Sequence, residues 1–563
     1  MSRGRFWGCA AILLCVMGAV QITSALREVQ TADEAVHLVS GYSILRRGAF
    51  SLNAENPPVS KVLSALPLLL LNPELPDLKP GDWRDENSVL ISAPFLYRNR
   101  VPADRLLFYG RLPMILLTLA FGAALAWWAQ RRFGTSAALI SLFLLCFDPN
   151  FIAHGRYVTS DVAGATFYFL ATIAWVEFLD SRKRGWLMAS AVLSGAGICT
   201  KFNLLLLPVL FLVLVWTEVR NGRQKLAQHF AVYLAVVAAT IWTFYGFESK
   251  TIASDETVAR FLNLPPEQLR ASSVLPKPAI AMLDPATGAG RPVRWIASHV
   301  PLPGYSFLKG LYRLFNHSYW GHRAYLLGHV SNRGWWYYFP VAFLVKTPTG
   351  TLLLLLLTAV VAWRGCPRFL WVPPAIYFAV CMLSSIDIGQ RHILPVYPFL
   401  FVLIGTAIAR MQGWRRGVAA LGIALLAIES LAIYPNYLAF FNWPSGGSRN
   451  GPKYLVDSNI DWGQDVRKLK RYVDERRLAP IPLHYFGSAD LDYYGIAREP
   501  LENALQAGKR RVAAVSVTSL EMEPGLAQLR RCQPADRIGY SIYVYDLFSP
   551  ACRLTSGEAY RGP

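Results

Sequence analysis

Hydrophobic positions in this chain fall in long runs, broken by short clusters of arginine and lysine. Eleven runs approach the roughly 20 apolar residues that a helix needs to cross about 30 Å of hydrocarbon. They cover approximately 6–26, 105–129, 134–151, 161–179, 186–200, 203–219, 229–247, 336–362, 369–386, 392–409 and 417–436. Between the runs lie three longer polar regions, 27–104, 248–335 and 437–563.

Each polar region has its own pattern. Asp33 to Arg47 alternates polar and apolar residues like a surface helix, and Pro58 to Leu71 is an apolar helix too short to span. Both fit helices lying at a membrane surface. Region 248–335 is rich in Pro, Gly and aromatic residues and predicts a cap of short elements. Region 437–563 changes character. A helical pattern at 466–477 alternates with strand patterns at 481–486, 511–518 and 538–547, which predicts a small α/β domain.

Composition agrees with the runs. Hydrophobic residues make up 53% of the 563 positions and charged residues only 16%, against about 25% charged in a soluble chain. There is too little polar surface for several soluble globules, so the chain is an integral membrane protein. Its formal charge of +20 carries no nucleic-acid motif; the excess sits at the ends of apolar runs, where it sets membrane orientation.

With Arg3 and Arg5 on the cytoplasmic side, alternation places Arg131–Arg132, Arg182–Lys183–Arg184, Arg220/Arg223/Lys225, Arg364/Arg368 and Arg410/Arg415/Arg416 on that same side. The short outer turns hold about one cation each, Arg156, Lys201 and Arg391. The three long regions are then extracytoplasmic, and the protein belongs in the plasma membrane. Thr23-Ser24-Ala25 also fits a signal-cleavage site, but the run before it is longer than a usual signal core. Eight cysteines show no CxxC or zinc spacing; Cys532 and Cys552 flank the last strand, and a bridge between them is one of two open readings.

Ionisable residues beside membrane runs are costly, so each is a site candidate. They converge on the outer side: Asp33, Glu34 and His37; Asn56 and Lys61; Arg156 and Asp161; Lys201; Lys346; Asp387, Arg391 and His392. A few carboxylates ringed by cations suit a lipid-held anion and a hydroxyl that needs a base. Each also has a structural reading. Asp33-Glu34 fits a helix N-terminal charge pair, and Asp161 fits a helix cap. Arg391 and His392 fit snorkelling side chains, and Lys346 could satisfy a carbonyl freed by Pro348.

At these residues the chain resembles the protein O-mannosyltransferases and the lipid A aminoarabinose transferases. Ala32-Asp33-Glu34-Ala35-Val36-His37 resembles their first-loop acidic motif. Glu55-Asn56-Pro57-Pro58-Val59-Ser60-Lys61 is similar to their H-P-P-L-x-K stretch, with Asn56 where His is common. Further similar stretches follow in the same order: Arg156 to Asp161, Thr200-Lys201, Trp336 to Phe339 with Lys346-Thr347-Pro348, Asp387 to Pro395, and Asp457-Ser458-Asn459-Ile460-Asp461-Trp462-Gly463-Gln464-Asp465. No trefoil repeat is visible in 248–335, unlike the protein mannosyltransferases.

The resemblance implies a C-type glycosyltransferase fold: about eleven transmembrane helices in a core over 1–436, followed by the α/β domain. It implies inverting transfer from a polyprenyl-phosphate sugar to a hydroxyl of a protein, lipid or glycan acceptor. It also implies Asp33 as catalytic carboxylate with Glu34 beside it, and Asp161 as the second acidic position. Lys61, Arg156, Lys201, Lys346, Arg391 and His392 are the candidates for binding substrate. A divalent cation is compatible with this reading but not required, since cations of the protein can neutralise a single phosphate. Two other classes stand beside it: a lipid-linked-sugar flippase, which would place charges near the bilayer midplane, and a non-catalytic envelope scaffold on the same fold.

Overall fold

The computed structural model describes residues 1–77, 88–218, 223–271, 277–361, 365–502 and 512–552. All eleven apolar runs are helical in it. Five helices among the described residues are long and apolar enough to cross a membrane by themselves: Arg3–Ala25, Ala103–Phe133, Asp161–Ser181, Ala227–Phe244 and Gln390–Ala409. Others are shorter; Thr135–Phe147 has 13 residues and rises only about 20 Å.

The run expected as one span over 336–362 is two helices, Tyr338–Lys346 and Thr349–Val361, bent by 108°. The break falls at Thr347-Pro348. Proline at 348 has no N–H to give and disfavours helix at the residue before it, so Thr347 is extended and the helix turns there.

The first outer region differs from its expectation: the apolar stretch Pro58 to Leu71 is two helices, Pro58–Ala65 and Leu68–Leu71. Helix Glu34–Arg47 forms as patterned, ending at Gly48 with φ 62°, but its residues 34–43 are all buried. It packs against helices Pro58–Ala65 and Ser88–Tyr97 in one apolar cluster. Gly41 makes that packing feasible, because a Cβ there would lie 2.0 Å from the Lys61 carbonyl oxygen.

The C-terminal region holds a five-stranded mixed sheet in the order Arg498–Pro500, Ile481–His484, Val512–Ser516, Ile542–Asp546, Asp536–Ile538. The first three strands are parallel and the last two antiparallel, with Ala514 opposite Val544. Helix Val466–Glu475 turns Val466, Leu469 and Val473 onto this sheet and closes a small apolar core that also takes in Val29. Cys532 and Cys552 are joined; the other six cysteines are free.

Two ends of the bundle can be told apart by what meets there. At one, Arg132 pairs with Asp180 and Arg368 donates to the Thr217 carbonyl, bringing basic clusters together; Arg220 and Arg364 lie outside the described residues. At the other, the three long regions touch. Gln30 donates to the Ser488 carbonyl, Glu55 meets His317, and Tyr97 packs on Tyr493 and Tyr494.

Candidate active site

A cavity of about 590 Å³ opens where the three long regions meet, and it is lined from every one of them. Asp33 immediately precedes helix Glu34–Arg47, and Asp161 starts helix Asp161–Ser181. Lys201 precedes a 3-10 turn at Phe202–Leu205. Arg391 and His392 sit in the 3-10 segment Gln390–Val396. All five line the cavity.

Arg391 is the hub. Its Nη1 lies 3.2 Å from Asp33 Oδ2 and 3.5 Å from Asp161 Oδ2, and its guanidinium carbon sits 4.1 Å over the Trp462 ring. The cation–π contact and the two carboxylates at Nη1 together hold the guanidinium in place. Asp161 is buried and takes a second cation, Lys201 Nζ at 2.7 Å from Oδ1. Asp33 is different: its side chain is 41% exposed. It has one cation partner and an open approach from the cavity, the arrangement a base needs to reach an incoming hydroxyl.

The segment 457–465 holds this hub in place. Trp462 and Gln464 carbonyls accept from the backbone N–H groups of Ala32 and Val29, fixing the approach to Asp33. Asn459 Oδ1 accepts from the Gln390 N–H, and Ser458 Oγ donates to the Ile388 carbonyl, fixing the approach to Arg391. Gly389 permits the contact, since a Cβ there would lie 2.3 Å from Ser458 Oγ.

Four of the nine site candidates do not line the cavity. Glu34 is fully buried, and both its oxygens are saturated: Oε1 accepts from Arg111 Nε at 2.8 Å and the Val158 N–H, Oε2 from Arg111 Nη2 at 2.6 Å and the Thr31 N–H. Arg156 makes a parallel buried pair with Glu28, at 2.7 and 3.1 Å. The Tyr157 ring lies against both guanidinium groups. Lys61 donates to the Asn53 and Leu52 carbonyls. Lys346, at the bend, donates to the Leu438 and Asn459 carbonyls at 2.9 and 2.7 Å. Glu34, Arg156 and Lys346 tie the outer regions to the helical core, and Lys61 ties helix Pro58–Ala65 to the link before it.

The cavity also contains residues that were not singled out in the sequence. Glu55 Oε2 lies 3.3 Å from His317 Nδ1, and His317 Nε2 lies 3.0 Å from His322 Nδ1. The pairing holds Glu55 below, and His317 above, their ordinary values. His37, one of the outer-side candidates read from the sequence, lines the wall as a buried imidazole that burial pulls down to about 4, so it is neutral. Asp457 and Phe486 enter from the C-terminal region. Glu55 and Asp457 lay within stretches of family resemblance; His317 and His322 are five apart at the end of a cap helix, a spacing with no sequence signature. Among the described residues no group of three or more His, Cys, Asp or Glu is arranged to hold a metal ion.

Residues 104–244 match the family model described as dolichyl-phosphate-mannose-protein mannosyltransferase. No curated protein matches the chain. Solved structures that resemble it include ArnT from Cupriavidus metallidurans bound to undecaprenyl phosphate. That structure is 15% identical, with 97% of this chain and 99% of that one covered and a TM-score of 0.48. Another is the archaeal oligosaccharyltransferase AglB from Archaeoglobus fulgidus in complex with an inhibitory peptide and a dolichol-phosphate, 11% identical, covering 94% and 71%, with a TM-score of 0.44. The matched segment 104–244 contains Asp161 and Lys201 of the cavity, and over it this chain is similar to that mannosyltransferase family.

Proposed function

We propose that this protein is an inverting glycosyltransferase of the plasma membrane. It takes a sugar from a polyprenyl-phosphate donor and passes it to a hydroxyl of a protein, lipid or glycan acceptor on the extracytoplasmic side. The observation that carries this reading is the meeting of Asp33, Asp161, Lys201 and Arg391 in one cavity lined by all three long regions.

Asp33 removes the acceptor proton as the oxygen attacks the anomeric carbon from the side opposite the phosphate. The carbon–oxygen bond to the phosphate breaks, and its electrons leave with the lipid phosphate. Arg391 and Lys201 stabilise that anion, with Asp161 holding both cations in position before donor binds. His392, which lines the cavity beside them, faces the same substrate. The lipid tail stays in hydrocarbon while its phosphate rides at headgroup level, which suits a cavity at one end of the bundle. A mannosyl donor is our first choice of sugar, because the family model that matches is a mannosyltransferase model.

The test is transfer of label in membranes supplied separately with undecaprenyl-phosphate-linked mannose, aminoarabinose, glucose and galactose, with wild type beside Asp33→Asn at matched protein level. Transfer by wild type alone supports the reading, and the donor consumed names the sugar. Transfer by Asp33→Asn at the wild-type rate would remove Asp33 as base.

A further inference from the structure

Asp457 stands apart from the other carboxylates of the cavity. Asp161 is neutralised by Lys201 and Arg391, Asp33 by Arg391, and Glu55 by His317. Asp457 makes no ion pair among the described residues. Among the described residues its Oδ1 accepts from the N–H of the next residue, Ser458, its Oδ2 accepts no hydrogen bond, and the residue lines the cavity.

The backbone carries a second cost at this position. Asp457 has φ 59°, the left-handed region that glycine occupies freely and other residues seldom do. Both neighbours pin it there: its own N–H donates to Thr518 Oγ1, and Ser458 is tied to Ile388. Glycine would relieve the backbone and asparagine the charge. Arg391 acts on this carboxylate through its charge without pairing with it, so the hydrogen-bonding capacity of Asp457 toward the cavity is left unused by protein donors among the described residues. Burial pushes it up to about 6.

The anion of the donor is not its partner, because two like charges repel. What remains of the donor is the sugar, whose hydroxyls supply the donors that a carboxylate oxygen accepts. Phe486, from the same C-terminal region, lines the cavity as well and offers an apolar surface for sugar C–H groups. Trp462 does not serve that role with its face, which Arg391 covers.

We propose that Asp457 binds the hydroxyl groups of the transferred sugar, making the C-terminal region the sugar-selecting wall of the cavity. This rests on the glycosyltransferase reading above. Asp457 touches substrate in this role but moves no proton; it fixes the sugar while Arg391 and Lys201 fix the phosphate.

The experiment compares dissociation constants of purified full-length protein for undecaprenyl phosphate and for the four undecaprenyl-phosphate sugars, in wild type, Asp457→Ala and Asp457→Gly. The glycine variant keeps the backbone relaxed and guards against misfolding. Wild type should bind at least one sugar-bearing lipid about tenfold more tightly than undecaprenyl phosphate. Both variants should lose that advantage while binding undecaprenyl phosphate within about twofold of wild type. An advantage that survives in both variants, or an equal loss for sugar-bearing and sugar-free lipids, overturns the proposal and leaves the transferase reading standing. Failure of wild type to prefer any of the four sugars overturns the proposal as well, while the transferase reading stands or falls on the transfer assay.

Discussion

Asp33 and Arg391, 358 residues apart in the chain, meet at 3.2 Å across the cavity. The contact is single and half open, since one side chain is 41% exposed and the other 9%. A bidentate, closed pair would leave no carboxylate oxygen for a substrate. Here Asp33 remains charged beside a cation yet reachable, while the guanidinium is held by Trp462 and Asp161 as well.

Arg391→Lys should therefore fail to replace Arg391. A lysine ammonium is a point charge on a flexible stem; it cannot hold Asp33, Asp161 and the Trp462 face together. We expect transfer to fall by about 100-fold or more in Arg391→Lys, with thermal stability near wild type. Transfer kinetics at matched expression check this; a lysine variant within about threefold of wild type, roughly half a decade in rate, would show that charge alone suffices.

Glu34 is next to Asp33 in sequence and has a different task. Its two oxygens accept four hydrogen bonds and close a buried pair with Arg111. Removing one partner leaves the other charge buried and alone, which costs about 3–5 kcal/mol. Arg111→Met should lower the unfolding temperature in detergent markedly, and Glu34→Gln likewise. Asp33→Asn should leave it nearly unchanged while abolishing transfer. Equal melting of Glu34→Gln and wild type would return Glu34 to the list of reacting groups.

The same contrast explains how far the sequence could be read. The apolar runs predicted helices at every one of eleven places, and alternating patterns located the strands at 481–484, 512–516 and 542–546 to within a few residues. Asp33, Asp161, Lys201, Arg391 and His392 do line one cavity. Glu34, Arg156, Lys61 and Lys346 carried the same signal of charge beside an apolar run. Their partners were invisible: Arg111 lies inside a 31-residue helix, Glu28 in a short link, and Lys346 answers carbonyls 92 and 113 residues away. A one-dimensional pattern reports that a charge must be satisfied. It does not report whether a protein group has already done so.

Lys346 and Lys201 should separate cleanly in kinetics. Lys346 is buried and spends its donors on two carbonyls of the 438–459 stretch. Lys346→Met strands those acceptors and should cost about 1–3 kcal/mol in stability. Its KM for donor should stay within about twofold. Lys201 lines the cavity, so Lys201→Met should raise KM for donor about tenfold or more. A rise in KM from Lys346→Met without loss of stability would place that lysine at the phosphate after all.

The cap over the cavity should respond to pH through Glu55 and His317. Helix Tyr305–Trp320 carries His317 near its end, and Glu55 lies on the first outer region, so the pair joins two outer regions in the cavity wall. The facing groups are His322, which receives His317 Nε2, and beyond it Asp33 and Arg391, which act on His322 in opposite senses. The hydrogen bond to Glu55 raises His317, so its contribution is full below the ordinary imidazole value and fades as pH rises through its raised value. The hydrogen bond to His317 lowers Glu55, so its contribution is full above the ordinary carboxylate value and fades as pH falls through its lowered value. Both are present together between about pH 4.5 and 6.5. Both side chains are partly exposed, so the effect is small in energy and local to the cap. Backbone hydrogen exchange over 305–320, corrected for intrinsic rates, should speed up as pH rises from about 6 to about 9. His317→Gln should exchange fast at both ends of that range, because it cannot form the ion pair at any pH. Slow, pH-independent exchange in wild type would mean that the apolar contact of Phe307 with Phe202 holds the cap without help from the pair.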